Sequence, residues 1–218
     1  MPAVLSTRKV SQLHHLQINE SAIDWVEEDF IGIQPCVFSV DQPREILLFT
    51  SQNAVRSVLN NPASAVLKGV PAICVGIKTK ELLAKNGWTV LAWTHYAKEL
   101  TNVIQQQFAS QSFSFFCGNI RREVLPTFFK QHQIPFDEYV VYQTVKYPHQ
   151  MQQKLDGICF YSPSAIESFL ENNAITTEVC FCIGDTTADA LKGITTQIVV
   201  ASQPTIEATL AACFAYYK

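Results

Sequence analysis

The chain has 218 residues, 48% of them hydrophobic and 16% charged, with a net charge of −3 and seven cysteines. This is enough apolar content for a buried core, and it excludes extended disorder and collagen-like or low-complexity sequence. The basic residues are scattered singly except at Arg8-Lys9 and Arg121-Arg122, so there is no basic face for nucleic acid, and no apolar run approaches the roughly 18–20 residues of a membrane span.

The first ten residues have neither the basic start nor the apolar middle of a secretory signal, so a cytoplasmic protein is expected. Residues 4–7 (VLST) read as the first strand. Pro35 and Pro43 bracket a strand-like stretch at 36–40, which predicts an extended connector. Residues 46–60 (ILLFTSQNAVRSVLN) have the pattern of strand, polar turn and helix, and so do residues 73–83 (ICVGIKTKELL). Further units follow at 89–108 and at 114–130, where FFC precedes Gly118-Asn119 and an amphipathic run. A second extended stretch at 139–145 leads to Pro148 and His149, and the pattern returns at 157–171 (GICFYSPSAIESFLE), 181–191 (FCIGDTTADAL) and 197–214. Strands alternating with helices predict the α/β class, with parallel sheets covered by helices.

Two of these units repeat. Phe49, Ser51, Ala54, Ser57 and Leu59 meet Phe160, Ser162, Ala165, Ser168 and Leu170 at one constant offset, and Gly76, Thr79 and Leu83 meet Gly184, Thr187 and Leu191 at nearly the same offset. Two segments in the same order at nearly equal spacing indicate two lobes built to one plan. Residues 44–138 would form one lobe, residues 1–33 with 150–218 the other, and 34–43 and 139–149 the connectors; residues 4–7 would supply the discontinuous lobe's first strand.

Hydroxyl residues recur where strand gives way to helix: Thr50-Ser51, Thr79, Ser162 and Ser164, Thr186-Thr187, and Thr205. N-capping accounts for all of them, and Ser164 with Glu167 and Thr186 with Asp189 have the spacing of a capping box or its aspartate variant. The same helix starts offer unpaired amides and positive dipole ends at the carboxyl ends of parallel strands, which suits anionic ligands. Both readings stand at each position. Residues 117–122 (CGNIRR) favour the second, because they combine a Gly-Asn turn, an expected helix start and two guanidinium groups.

Tyr142 stands in a connector, where a half-buried strand tyrosine is the simpler reading. No phosphate loop, dinucleotide fingerprint or nucleophile elbow is present. His14-His15, His95, His132 and His149 lack metal-ligand spacing and read as surface or loop residues. The cysteines form no C-x-x-C pair, and five sit in strand-like runs as core residues; Cys180 and Cys182 are expected on opposite faces, so no metal site is expected.

Residues 47–55 (LLFTSQNAV), 74–88 (CVGIKTKELLAKNGW), 116–129 (FCGNIRREVLPTFF), 137–144 (DEYVVYQT), 160–170 (FYSPSAIESFL), 183–191 (IGDTTADAL) and 201–210 (ASQPTIEATL) occur in an order that resembles the uroporphyrinogen-III synthase family. The resemblance covers most of the chain from Pro43 onward, and Thr7-Arg8 and Gly32 with Pro35 extend it weakly toward the N-terminus. It implies two flavodoxin-like lobes joined by a two-stranded β connector, with the active site in the cleft between them. It also implies a lyase that uses no cofactor: the linear tetrapyrrole hydroxymethylbilane loses water and closes to uroporphyrinogen III, its last pyrrole ring inverted through a spiro intermediate. The substrate closes unaided to the uninverted isomer, so the enzyme's main task is to select a geometry.

By the same resemblance Arg8, Thr50, Ser51, Gly118, Asn119, Arg122, Ser162, Ser164, Thr186 and Thr187 would bind the substrate's acetates and propionates. Tyr142, in the tyrosine position of the VYQT motif, would donate a proton or a hydrogen bond to the departing hydroxyl. Asp185 departs from the family pattern, where an uncharged residue is common; a carboxylate beside an anion site is unfavourable unless it points away or caps its own helix. A monomer is expected, with transient contact to the preceding pathway enzyme. The competing readings are a two-lobed receptor for a small polyanion that closes without chemistry, and a catalytically silent relative.

Overall fold

A computed structural model of the chain describes residues 1–62 and 64–218. In chain order its elements begin with β1 (Ala3–Ser6), α1 (Gln12–Asn19), β2 (Asp24–Glu27) and β3 (Ile31–Pro35). They continue with β4 (Ile46–Phe49), α2 (Gln52–Leu59), α3 (Ser64–Leu67), β5 (Ala72–Val75), α4 (Ile77–Lys85), β6 (Val90–Thr94), α5 (Ala97–Gln107), β7 (Phe113–Gly118), α6 (Val124–Gln131) and β8 (Phe136–Lys146). The last are β9 (Gly157–Phe160), α7 (Pro163–Leu170), β10 (Val179–Cys182), α8 (Asp185–Asp189), β11 (Ile198–Val200) and α9 (Ile206–Tyr216).

The chain divides into two compact units, Met1–Gly32 with Val145–Lys218, and Ile33–Thr144. The first holds a five-stranded parallel sheet in the order β11-β10-β9-β1-β2, with β1 paired to both β9 and β2. The second holds β3-β8-β7-β4-β5-β6, parallel from β8 to β6. β3 is added antiparallel on the outer side of β8, through Cys36 N–H to Val141 O (3.0 Å) and Tyr147 N–H to Phe30 O (2.9 Å). Without β3 the two sheets have one arrangement: β2-β1-β9-β10-β11 matches β8-β7-β4-β5-β6 position for position. The first unit has the flavodoxin order 2-1-3-4-5, and the second is the same order entered at a different strand, 3-2-1-4-5. The duplicated segments are β4-α2 with β9-α7, and β5-α4 with β10-α8.

Strands sandwiched between helix layers must be apolar on both faces, which is why they read as continuous hydrophobic runs. Leu47 and Phe49 of β4 pack against α2 and α4, while Ile46 and Leu48 pack against α5 and α6. In the first unit Ile158 and Phe160 face α7, and Cys159 faces Cys213 of α9. Cys180 and Cys182 lie together on the α7 side, with Val179 and Phe181 on the other. This corrects the expectation of opposite faces, since residues two apart on a strand share a face. All seven cysteines are free thiols, and the described residues contain no cluster of three or more potential metal ligands.

Two further expectations are corrected. The strand anticipated at 36–40 lies earlier, at Ile31–Pro35. Pro35 tolerates its place at the end of an edge strand, where no neighbour needs its missing N–H. Residues 139–145 are extended as expected, within β8, which pairs with β7 from Phe136 to Tyr142. His14 is buried rather than a surface or loop residue: its Nδ1 lies 3.3 Å from the Ser11 amide nitrogen and its Nε2 3.3 Å from Glu207 Oε1. Among the described residues no helix is long and apolar enough to cross a membrane.

Candidate active site

Open α/β sheets bind ligands outside the carboxyl ends of their strands, where adjacent strands send their connections to opposite sides. In the second unit that point lies between β4 and β7, and in the first between β9 and β1.

In the second unit, β4 ends at Phe49 and the chain passes through Thr50 to Ser51, whose extended backbone (φ −152°, ψ 139°) makes it the N-cap of α2. Ser51 Oγ accepts from Asn53 N–H at 3.1 Å. β7 ends at Gly118, which pairs with Tyr142 of β8 after a register shift between Cys117 and Gly118. A Cβ placed on Gly118 would lie 2.4 Å from Tyr142 Cζ and 2.8 Å from its hydroxyl, so the ring lies directly across the glycine. Tyr142 is only 9% exposed, and its hydroxyl lies near enough to the Ser51 side chain to be influenced by it. Burial pushes the phenol above its ordinary pKa and the nearby Ser51 side chain opposes the rise, so the group keeps its proton at neutral pH. Thr50, Ser51, Gly118 and Tyr142 are therefore brought together.

Asn119 lies beside them but is already engaged: its N–H donates to Tyr142 O (3.1 Å) and its Oδ1 accepts from Thr144 N–H (2.8 Å). The helix expected directly after Gly118-Asn119 starts only at Val124. The intervening loop is held by Arg121, which bridges Glu138 at 2.7 Å and Glu123. These partners, Glu138 first, raise the Arg121 pKa and tie its charge to its own unit. Arg122 is exposed.

In the first unit, β9 ends at Phe160, and Ser162 (φ −164°, ψ 156°) caps α7 by accepting from Ala165 N–H at 3.2 Å, with Pro163 at the first helical position. The cap is thus Ser162, in place of the expected box: Ser164 is the second residue of the helix, and Glu167 pairs with Lys146 at 3.0 Å. Arg8 follows β1, its guanidinium carbon 5.9 Å from the Tyr161 ring centroid. The Ser6 hydroxyl donates to Arg8 O (2.6 Å) and lies 3.3 Å from the Tyr161 hydroxyl; Thr7 Oγ1 donates to Cys159 O (2.8 Å). Burial, followed by Cys159, pushes the Tyr161 phenol well above its ordinary pKa. Arg8 and Ser162 therefore flank one strand-end point, with Ser6 and Tyr161 beneath Arg8. Sequence reasoning missed Ser6 and Tyr161; the available signal was a polar residue ending an otherwise apolar strand.

The threonines behave differently from the serines. α4 and α8 are capped by Gly76 and Gly184, which have no side chain to offer, and Thr79 and Thr187 sit at the third helical position, buried. Their amides donate to the cap carbonyls at 3.1 and 3.0 Å. The capping role expected for Thr79, Thr186 and Thr187 is therefore corrected, while Thr205 does cap α9, accepting from Ala208 N–H at 3.1 Å. Thr186 is exposed, and Asp185 is exposed at the first position of α8, where a carboxylate complements the helix dipole.

Two parallel α/β units with serine-capped helices at their switch points, one with a buried tyrosine and the other with an arginine beside the cap, define a two-unit α/β protein suited to an anionic ligand. The model of the family described as uroporphyrinogen-III synthase HemD matches residues 34–211. The chain belongs to the uroporphyrinogen-III synthase family, lyases of haem biosynthesis. Among solved structures it is similar to uroporphyrinogen-III synthetase from Helicobacter pylori 26695, with 21% identity, 99% of this chain and 100% of that one covered, and a TM-score of 0.76. A mutant uroporphyrinogen III synthase from the extremely thermophilic bacterium Thermus thermophilus is also similar, at 13% identity, covering 97% of this chain and 96% of that one, with a TM-score of 0.68. A search of curated protein sequences gives no significant match. Arg8 lies outside the residues the family model matches.

Proposed function

We propose that this chain converts hydroxymethylbilane to uroporphyrinogen III, with Tyr142 as the group that hydrogen-bonds the departing hydroxyl. Loss of that hydroxyl leaves an electron-poor azafulvene; attack at the substituted carbon of the last ring gives the spiro intermediate, which fragments and recloses with the ring inverted. Tyr142 carries the reading, because its phenol is buried, protonated and fixed beside Ser51 at a strand-end switch point. A phenol near or above its ordinary pKa of about 10 is a weak acid, so its contribution is a hydrogen bond to the leaving oxygen rather than full proton transfer.

The substrate's carboxylates would be met by Thr50, Ser51, Gly118, Asn119 and Arg122 in the second unit and by Arg8, Ser162, Ser164, Thr186 and Thr187 in the first. Helix starts and hydroxyls recognise anions without a large basic surface, in keeping with a chain of net charge −3. Seven free thiols support a reducing, cytoplasmic setting.

The test is isomer-resolved chromatography of the products formed when purified protein meets freshly generated hydroxymethylbilane. Conversion mainly to the type III isomer is the expected result. The spontaneous type I isomer alone would leave a binding protein or a silent relative.

A further inference from the structure

Gly118 ends β7, yet nothing in its backbone calls for glycine. The glycines at positive φ are Gly76, Gly87 and Gly193, and Gly118 is not among them. Its neighbours make the demand: the three heavy atoms nearest to an added Cβ all belong to Tyr142, at 2.4, 2.5 and 2.8 Å. Real Cβ atoms do not approach others so closely, and an aromatic ring packed among buried residues cannot give way as a flexible chain end would. The register shift between Cys117 and Gly118 sets the glycine opposite Tyr142, and the Asn119 N–H bond to Tyr142 O closes the pair.

Held this way, the Tyr142 hydroxyl lies near Ser51, whose Oγ accepts from Asn53 N–H. The Ser51 hydroxyl carries a proton it can donate to the phenol oxygen, an arrangement that leaves the phenol's proton for an outside acceptor.

We propose that Gly118 is a positioning residue for the reaction: the missing side chain is the seat that lays the Tyr142 ring across the end of β7 and sets its hydroxyl against Ser51. This rests on the reading of Tyr142 as hydrogen-bond donor to the departing hydroxyl. The experiment separates the two. Ring-labelled tyrosine NMR at neutral pH, with the Tyr142 signal assigned by its loss in Tyr142→Phe, measures relaxation by a soluble paramagnetic agent. In the wild type Tyr142 is protected; in Gly118→Ala its relaxation rises toward that of the exposed Tyr147. Gly118→Ala and Tyr142→Phe each lower kcat by about tenfold, the scale of one hydrogen bond, and the double variant falls no further than the singles.

A Tyr142 signal that stays protected in folded Gly118→Ala overturns the seat, whatever the kinetics. A Tyr142 that becomes accessible while both single variants keep wild-type kcat removes Tyr142 from the mechanism, and the positioning role with it. Where Gly118→Ala fails to fold, urea midpoints decide: the substitution is tolerated in a Tyr142→Ala background if the ring is the obstacle, and an equal failure in both backgrounds overturns the proposal.

Discussion

Ser57 and Ser168 occupy matching places in the two duplicated helices, and both are buried. The Ser168 hydroxyl, fully enclosed, has no hydrogen-bond partner among the described residues. A buried unsatisfied hydroxyl destabilises the folded state, and alanine fills nearly the same space. Ser168→Ala should therefore raise stability by up to about 1 kcal/mol, read as a higher urea midpoint with an unchanged slope. An unchanged or lower midpoint would mean that the hydroxyl has a partner in solution. At this scale the sequence was legible in types but not in partners: it singled out Tyr142 and Gly118, while the register shift between β7 and β8 that sets them opposite each other carried no local sign.

At the scale of elements, the duplicated segments of each unit hold one serine-capped and one glycine-capped helix in matching places, and the two glycines differ. Gly76 has φ +90°, a conformation that L side chains rarely adopt; Gly184 has φ 178°, ordinary extended backbone, with its nearest neighbour at 3.8 Å. Gly76→Ala should cost about 1–2 kcal/mol of stability, and Gly184→Ala should stay within about 0.5 kcal/mol of the wild type. Thermal melts of the two variants check the contrast, and equal shifts would sink it. The repeat in the sequence revealed that the two positions correspond. It carried no sign that one turn is left-handed and the other extended, because glycine permits both. The start of α6 was misread for a related reason: Gly118-Asn119 resembles a helix start, but the Asn119 amide and side chain are both engaged with β8, and the helix waits until Val124.

Across the whole molecule, apolar strands covered on both faces bury several thiols. Burial pushes Cys74, Cys117, Cys180 and Cys182 each up to about 12. In the unfolded chain a thiol titrates near 8.5–9, so between there and about 12 the unfolded state binds fewer protons than the folded one. The stability these groups contribute is complete below the unfolded pKa and is lost as pH rises through that window, on the order of 1 kcal/mol per thiol one pH unit past its unfolded value. The urea midpoint should fall steeply from pH 8 to pH 10, and Cys180→Ala should flatten that fall despite its own packing cost; a pH-independent midpoint would contradict the buried thiols. The sequence by itself determined the α/β class, the duplicated strand-turn-helix units and the apolar strands, because periodicity and turn chemistry are local. Only the tertiary structure decided that the two sheets share one arrangement entered at different strands, that Ser162 and Gly184 rather than Ser164 and Thr186 begin their helices, and that Gly118 is empty to admit a tyrosine. Each of these depends on which strand lies beside which and in what register, and pairing between distant segments is set by packing rather than by any local pattern.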